Sequence, residues 1–219
     1  MLEEELKTPF VSDLLFKARI ACSLVIVILA MVIVSTYVVY IPPNFQQGFL
    51  SSRGDYFFRT PYCVGFYAHI LASPLALICG TLQFSKTILR RWPKVHRILG
   101  RAYVIGVLAF AAPGGFVISF GTVGGLPSFI CFLTMSCLAW GFTWQAWRTA
   151  RQRAFSSHRR WVWRSYLMMV SAIILRIIDP ALREAGVPDL LSYQLCAWLS
   201  WVPSLLIFEA LQGKRIPGR

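Results

Sequence analysis

The chain has 219 residues, of which 57% are apolar and 14% are charged, and its mean hydropathy is +0.60. About a quarter of the residues in an ordinary soluble domain are charged, so this composition excludes such a domain. The formal net charge of +13 would favour a nucleic-acid partner in a soluble chain, but in a membrane protein basic residues gather in loops on one side. We therefore expect an integral membrane protein that contacts the lipid bilayer and no nucleic acid.

Six apolar runs approach the length of about 20 residues that a helix needs to cross a bilayer. They cover residues 20–40, 62–84, 102–121, 128–147, 165–182 and 190–211. The pattern predicts an all-α bundle of six membrane spans over residues 20–211, with a cytoplasmic interfacial segment at 1–19 and a cytoplasmic tail at 212–219. Within the third run, Pro113, Gly114 and Gly115 favour a kink or close helix packing.

Basic residues are concentrated between the second and third runs and between the fourth and fifth runs. These two short stretches hold twelve of the 22 Lys and Arg residues. Loops rich in Lys and Arg stay in the cytoplasm, so both stretches are predicted to be cytoplasmic, and with six spans so are both termini. The same basic surface is expected to contact anionic lipids.

The two basic stretches match each other when the second is aligned on the first with an offset of 62 residues. Five polar positions then correspond without a gap: Gln83 with Gln145, Lys86 with Arg148, Arg91 with Arg153, His96 with His158, and Arg97 with Arg159. The match favours a parallel repeat of two hairpins, spans 2 and 3 and spans 4 and 5. Shared loop composition is the alternative. Under both interpretations His96 and His158 lie at the same depth.

Several motifs between Tyr62 and Leu211 are shared with a known family. They are His69, GTLQF at 80–84, RWPKVHRILGRAY at 91–103, HRRWVWR at 158–164, Arg176 and WLSWVP at 198–203. In these motifs the chain resembles the bacterial predicted-membrane-protein family known as domain of unknown function 2306. The resemblance implies six helices in a bacterial inner membrane and no particular activity.

The chain is also distantly similar to the six-helix b-type cytochromes that carry electrons from ascorbate across membranes. In those proteins spans 2 to 5 each contribute a haem-ligating histidine. Here span 2 has His69, span 3 has His96 and span 5 has His158, whereas span 4 has none. The similarity therefore implies at most one haem b, with His96 and His158 as ligands of its iron.

Two neutral imidazoles on facing helices can hold a haem iron between them, and arginines can neutralise the haem propionates. Gly100, one helical turn after His96, would leave room for the flat ring. The arginines suited to this task are Arg97, Arg101, Arg159 and Arg164. The alternatives for His96 and His158 are a solvated structural role at the interface and the binding of a quinone or a lipid headgroup.

A second group of polar residues lies in the half of the bundle away from the basic loops. Arg176 and Asp179 are three residues apart on span 5 and can pair, and His69 on span 2 lies at a similar distance from the outer end. Charged groups inside a span are costly and face protein or water. The group is either a structural ion pair beside a core histidine, or a pocket in which Arg176 binds an anion or carbonyl and His69 passes a proton. Gln194 and Trp198 on span 6 could complete such a pocket.

These observations support two functional hypotheses. The first is a membrane redox protein with a b-type haem or a quinone near the cytoplasmic face. The second is a non-enzymatic carrier or an accessory subunit of a larger membrane complex, because a parallel hairpin repeat provides the two-fold frame that carriers use. The sequence has no nucleotide-binding, serine-hydrolase or zinc-protease motif, and it leaves open whether the protein is an enzyme.

Overall fold

The computed structural model describes residues 9–35, 40–46, 50–51, 54–58 and 61–213 of the chain. Every regular element within these ranges is a helix. The elements are α1 (Pro9–Ser35), α2 (Gly54–Phe57), α3 (Tyr62–Gln83), α4 (Lys86–Arg91), α5 (Pro93–Ile105), a π-helical segment (Gly106–Ala111), α6 (Ala112–Ser119), α7 (Gly125–Arg151), α8 (Phe155–Glu184), α9 (Asp189–Leu199) and α10 (Val202–Gly213). The predicted all-α class is confirmed.

Five helical stretches of the described residues are long and apolar enough to cross a membrane. They are Tyr62–Gln83, Pro93–Ser119, Gly125–Arg151, Phe155–Glu184 and Asp189–Gln212, and they correspond to the predicted spans 2 to 6. The apolar part of α1, Ile20–Ser35, is shorter than a crossing helix needs. Residues 36–39, where the predicted first span continues, lie outside the described residues. The first of the six spans therefore stays a prediction.

The helices of spans 3 and 5 begin well before their apolar runs. Span 3 starts at Pro93, a position where proline suits the first turn, and span 5 starts at Phe155. The predicted basic loop between spans 4 and 5 is reduced to residues 152–154, with Arg153 at a φ of 57°. Basic side chains are good helix formers, so these helices continue beyond the apolar runs. His96 and His158 consequently lie on the first turns of spans 3 and 5 and not in loops.

Spans 2 and 3 pack closely at glycines. A Cβ atom at Gly65 would lie 2.8 Å from the Cβ atom of Val117, and one at Gly114 would lie 2.8 Å from the backbone nitrogen of His69. Small residues at a crossing let two backbones approach each other in a membrane, where no hydrophobic driving force brings helices together. Span 2 also packs against α1 and span 5, and span 6 packs against spans 4 and 5. This arrangement surrounds His69 with neighbouring helices.

Span 3 changes from α-helix to π-helix over Gly106–Ala111 and returns to α-helix at Ala112. The N–H of Ala112 bonds to the carbonyl of Val107, five residues earlier. Pro113 follows at once and has no N–H to continue the ladder of α-helical hydrogen bonds. The irregularity predicted at the Pro113, Gly114 and Gly115 run thus takes the form of a π-helical segment, a feature that is frequent at functional sites.

Buried hydroxyl groups join the two predicted hairpins in the half of the bundle near the basic residues. Thr81 Oγ1 of span 2 lies 2.6 Å from Tyr166 Oη of span 5. Thr143 Oγ1 of span 4 lies 2.6 Å from Ser165 Oγ, which lies 2.5 Å from Tyr103 Oη of span 3. The threonine of each hairpin is thus connected to the tyrosine of the other, directly for Thr81 and through Ser165 for Thr143. A two-fold relation between the hairpins would produce this pair of reciprocal contacts.

Candidate functional site

A cavity of about 300 Å³ lies between spans 2, 3, 4 and 5, in the half of the bundle away from the two basic stretches. Residues of α1 and of the beginning of span 6 also contribute to its wall. Most of the lining is apolar and includes Phe66, Met135 and Met169. The polar residues that line it are Tyr40, His69, Ser73, Ser119, Thr122, Ser136, Ser171, Arg176 and Tyr193. A mostly apolar cavity with a few converging polar groups is typical of a binding site for a small organic molecule.

The orientation of the His69 ring is set by one hydrogen bond to span 3. Its Nδ1 atom lies 2.7 Å from the carbonyl oxygen of Ala111, the last residue of the π-helical segment. A carbonyl oxygen only accepts, so Nδ1 carries the hydrogen and donates it. In the neutral ring the lone pair then lies on Nε2. Ser73 Oγ donates to the carbonyl of His69 at 2.6 Å and so adds a bond within span 2.

Span 3 leaves little free space on one side of the imidazole. A Cβ atom at Gly115 would lie 3.1 Å from His69 Nδ1 and 2.9 Å from Ser136 Oγ of span 4. Gly115 therefore permits the close approach of spans 2, 3 and 4 at this level.

Arg176 lies at the same cavity, on span 5. Its Nη1 atom donates to the carbonyl oxygen of Ala172, one turn earlier, at 2.8 Å. His69 of span 2 and Arg176 both line the cavity. The structure thus brings together His69 and Arg176, the two residues that the pocket hypothesis assigned to proton transfer and to binding.

Asp179, which the sequence suggested as a partner of Arg176, bonds to Arg183 and Ser192. Its carboxylate accepts from Arg183 Nε at 3.0 Å and from Ser192 Oγ at 2.9 Å. Arg183 also forms an ion pair with Asp189 at the start of span 6. A spacing of four residues on span 5 and the adjacent start of span 6 give Asp179 these partners. The cluster lies where span 5 ends and span 6 begins, and it is not part of the cavity lining.

Gln194 and Trp198 do not line the cavity either. Gln194 Nε2 donates to the carbonyl oxygen of Gly124 at 2.9 Å and so connects span 6 to the connection before span 4. The ring of Trp198 stacks on that of Trp201 with their centroids 5.9 Å apart. From this part of the chain it is Tyr193 that reaches the cavity, and its hydroxyl lies 3.0 Å from Thr122 Oγ1.

The serines of the cavity wall were not identified from the sequence. Ser119 donates to the carbonyl of Phe116 and Ser171 to that of Met168, as Ser73 does to that of His69. A serine that bonds to its own helix is tolerated anywhere in a span, so its presence in an apolar run carries no signal of a site.

The histidines His96 and His158 lie near each other at the opposite end of the bundle, where their imidazoles interact electrostatically. Nδ1 of His158 lies 2.8 Å from the carbonyl oxygen of Ala146, so it donates and leaves the lone pair on Nε2. Nδ1 of His96 is buried without a hydrogen-bond partner. A buried nitrogen without a partner is unusual and indicates an additional ligand or a strained position.

The fit of a haem to this pair can be tested on the surrounding residues. Two imidazoles, one on span 3 and one on span 5, match the ligand chemistry of a b-type haem. The room expected beside Gly100 is filled, because a Cβ atom there would lie 3.2 Å from Gln83 Oε1, and Gln83 Nε2 donates to the carbonyl of His96 at 3.0 Å. Arg164 bonds to Glu209 through Nε at 2.5 Å and Nη2 at 2.6 Å. Three further predicted propionate partners are exposed: Arg97, Arg101 and Arg159.

Among the described residues, no three side chains of His, Cys, Asp or Glu cluster as a metal-ion site would require.

Residues 66–211 match the family described as "Predicted membrane protein (DUF2306)". The chain belongs to this family. The match covers both histidine sites and Arg176, and it confirms the family predicted from the motifs. No curated protein and no solved structure matches the chain.

Proposed function

We propose that this DUF2306 protein is a membrane redox protein that binds a lipid-soluble quinone in the cavity enclosed by spans 2, 3, 4 and 5. The observation that carries the proposal is an apolar cavity of about 300 Å³ whose wall presents the imidazole of His69 and the guanidinium of Arg176. A quinone headgroup is a flat apolar ring with polar oxygens at opposite edges. Such a ligand needs an apolar space with a small number of placed hydrogen-bonding groups.

The two polar side chains suit the chemistry of a quinone. Reduction of a quinone takes up protons together with electrons and oxidation of a quinol releases them, and a neutral imidazole can accept such a proton near physiological pH. A guanidinium donates charge-assisted hydrogen bonds to a carbonyl or to an anionic oxygen. Arg176 would therefore hold one ligand oxygen and His69 would exchange a proton at the other.

The histidine pair supports a second candidate, a b-type haem near the cytoplasmic face. The specific observation in its favour is the buried Nδ1 of His96, which lacks a partner and lies beside His158. When bound, a haem would supply one-electron transfer. Rotation of Gln83 away from Gly100 would be required to make room for it.

The orientation in the membrane is part of the proposal. We place the chain in a bacterial inner membrane with six spans, with both termini and the basic residues on the cytoplasmic side. The asymmetry of Lys and Arg supports this orientation, and the same residues would contact anionic lipids. The parallel repeat of hairpins is supported by the exchange of hydroxyl bonds between Thr81 and Tyr166 and between Thr143 and Tyr103 through Ser165.

Quinone binding can be measured by titrating the purified protein in nanodiscs with a short-chain benzoquinone and following tryptophan fluorescence. We expect saturable binding that Arg176→Gln weakens by about tenfold, the effect of one charge-assisted hydrogen bond. Arg183→Gln is the matched control, because Arg183 lies on the same helix and outside the cavity lining. Absence of binding, or an equal loss in both variants, would contradict the proposal. A stable stoichiometric complex in a native pull-down would favour an accessory subunit.

The haem candidate is tested by the absorption spectrum of protein expressed with an ample supply of haem. A Soret band that disappears in His96→Ala and His158→Ala, and is retained in His69→Ala, is the expected result. A spectrum without the band in the wild type would remove the haem and leave the quinone cavity unaffected.

A further inference from the structure

We propose that the cavity selects a ligand that donates a hydrogen bond, so that a quinol binds more tightly than the corresponding quinone. This inference rests on the proposed function, because it concerns the ligand of the same cavity. It follows from the position of one hydrogen atom on His69.

The Ala111 carbonyl determines which nitrogen of His69 carries the hydrogen. Because Nδ1 donates to this oxygen at 2.7 Å, the neutral ring presents Nε2 as an acceptor. A ring flipped about its axis would place a carbon atom against the carbonyl and lose the bond. The nitrogen left for a ligand in the cavity therefore accepts a hydrogen bond and does not donate one.

The backbone of span 3 keeps this arrangement in place. Ala111 ends the π-helical segment, and Gly114 brings span 3 against the backbone of span 2. A Cβ atom at Gly115 would lie 3.1 Å from Nδ1 and 3.3 Å from Cε1 of His69. The imidazole thus lies between the Ala111 carbonyl, which accepts its hydrogen, and Gly115, which has no side chain.

The two redox forms of the ligand differ at the atom that meets Nε2. A quinone oxygen only accepts, so it would face the lone pair of Nε2 and leave both atoms without a partner. A quinol hydroxyl donates to Nε2, while the oxygen at the other edge of the ring accepts from Arg176. The quinol gains one hydrogen bond, and it avoids placing two acceptors against each other. Together these effects correspond to a preference of about tenfold for the quinol.

The preference is measured by anaerobic titration of the wild-type protein in nanodiscs with a short-chain benzoquinone and with its quinol. We expect the quinol to bind about tenfold more tightly. In His69→Phe the two forms should bind equally, because the ring is retained and the acceptor is lost. Arg183→Gln is the control and should keep the preference, because Arg183 lies outside the cavity lining.

A second measurement does not depend on any ligand or on a cavity variant. Nitrogen-15 NMR shifts of labelled histidine distinguish a ring protonated at Nδ1 from one protonated at Nε2. The chain has three histidines, so the His96→Gln and His158→Gln variants assign the signal of His69. We expect protonation at Nδ1.

The outcomes separate this inference from the proposed function. If quinone and quinol bind equally in the wild type, or if His69 is protonated at Nε2, the selectivity is wrong while the quinone cavity stands. If neither form binds, the proposed function itself fails. Retention of the tenfold preference in His69→Phe would assign selectivity to another residue and overturn the inference.

Discussion

At the scale of single residues, the charged side chain of Arg164 shows how polar groups are stabilised among the apolar helices. Arg164 lies on span 5 with its side chain 16% exposed and forms two hydrogen bonds to Glu209 of span 6. Its guanidinium also lies 4.6 Å from the ring centroid of Trp161 and 5.5 Å from that of Phe208. The residue is held by a bidentate ion pair and by aromatic rings, and it therefore stabilises the contact between spans 5 and 6.

Glu209→Gln should lower the free energy of unfolding by about 1–2 kcal/mol, because Arg164 loses its anionic partner while staying partly buried. The Glu209 side chain is 42% exposed, which keeps the effect below that of a fully buried pair. The measurement is unfolding by SDS in mixed micelles. Glu184→Gln, at the exposed C-terminal end of the span 5 helix, is the control and should change little. Equal effects of the two substitutions would show that the pair contributes nothing.

At the scale of elements, the crossing of spans 2 and 3 depends on residues without side chains. At Gly114 the nearest atoms to a Cβ belong to backbone, so no rotation of a side chain can make room. By contrast, a Cβ atom at Gly141, in the middle of span 4, would have no neighbour within 4 Å. The two glycines therefore have different roles, although both lie inside spanning helices.

Gly114→Ala is expected to lower the free energy of unfolding by about 1–3 kcal/mol, because the added methyl group forces spans 2 and 3 apart. The same displacement moves His69 and should weaken ligand binding in the cavity. Gly141→Ala should be neutral or stabilising by up to about 1 kcal/mol, since alanine favours the helix more than glycine does. Unfolding in detergent of both variants decides the matter. A larger loss in Gly141→Ala would contradict the close approach at Gly114.

At the scale of the whole molecule, the two predicted hairpins are joined by hydrogen bonds of two threonines. These threonines lie just before the stretches whose sequences match each other. Thr81 and Thr143 are separated by the same 62 residues as His96 and His158. Each also donates to the carbonyl four residues earlier, Leu77 and Ala139 respectively. Extending the ungapped alignment backwards from Gln83 would have found this pair, so the sequence did contain the signal.

The number of spans decides on which side of the membrane the N-terminus lies. If α1 crosses the membrane, the N-terminus lies on the side of the basic residues, as the positive-inside rule predicts. A periplasm-dependent reporter should then be inactive when fused ahead of Met1 or after Gln212, and active when inserted in residues 121–124. Activity at the N-terminal fusion as well as at residues 121–124 would mean that α1 does not cross, which would leave five spans.

The sequence by itself was sufficient for the membrane class, spans 2 to 6 and the family. Bilayer thickness sets the length of an apolar run, so this information is local and can be read along the chain. The apolar runs did not predict where the helices of spans 3 and 5 begin. Basic residues favour a helix, so both helices start before the apolar run does. The first span remains a prediction for a related reason, since the described part of α1 has only a short apolar stretch.

Only the tertiary structure decided how the polar groups are paired. Asp179 has neighbours at three and four residues on its own helix and others on span 6, and the spacing alone did not favour Arg183 and Ser192 over Arg176. The cavity depends on how helices from distant parts of the chain face each other, and its serines look like any other serine in a span. The hydrogen on His69 is determined by a carbonyl that a π-helical segment turns towards it, 42 residues along the chain. No pattern within a single run contains such a contact, because it exists only when spans 2 and 3 are packed together.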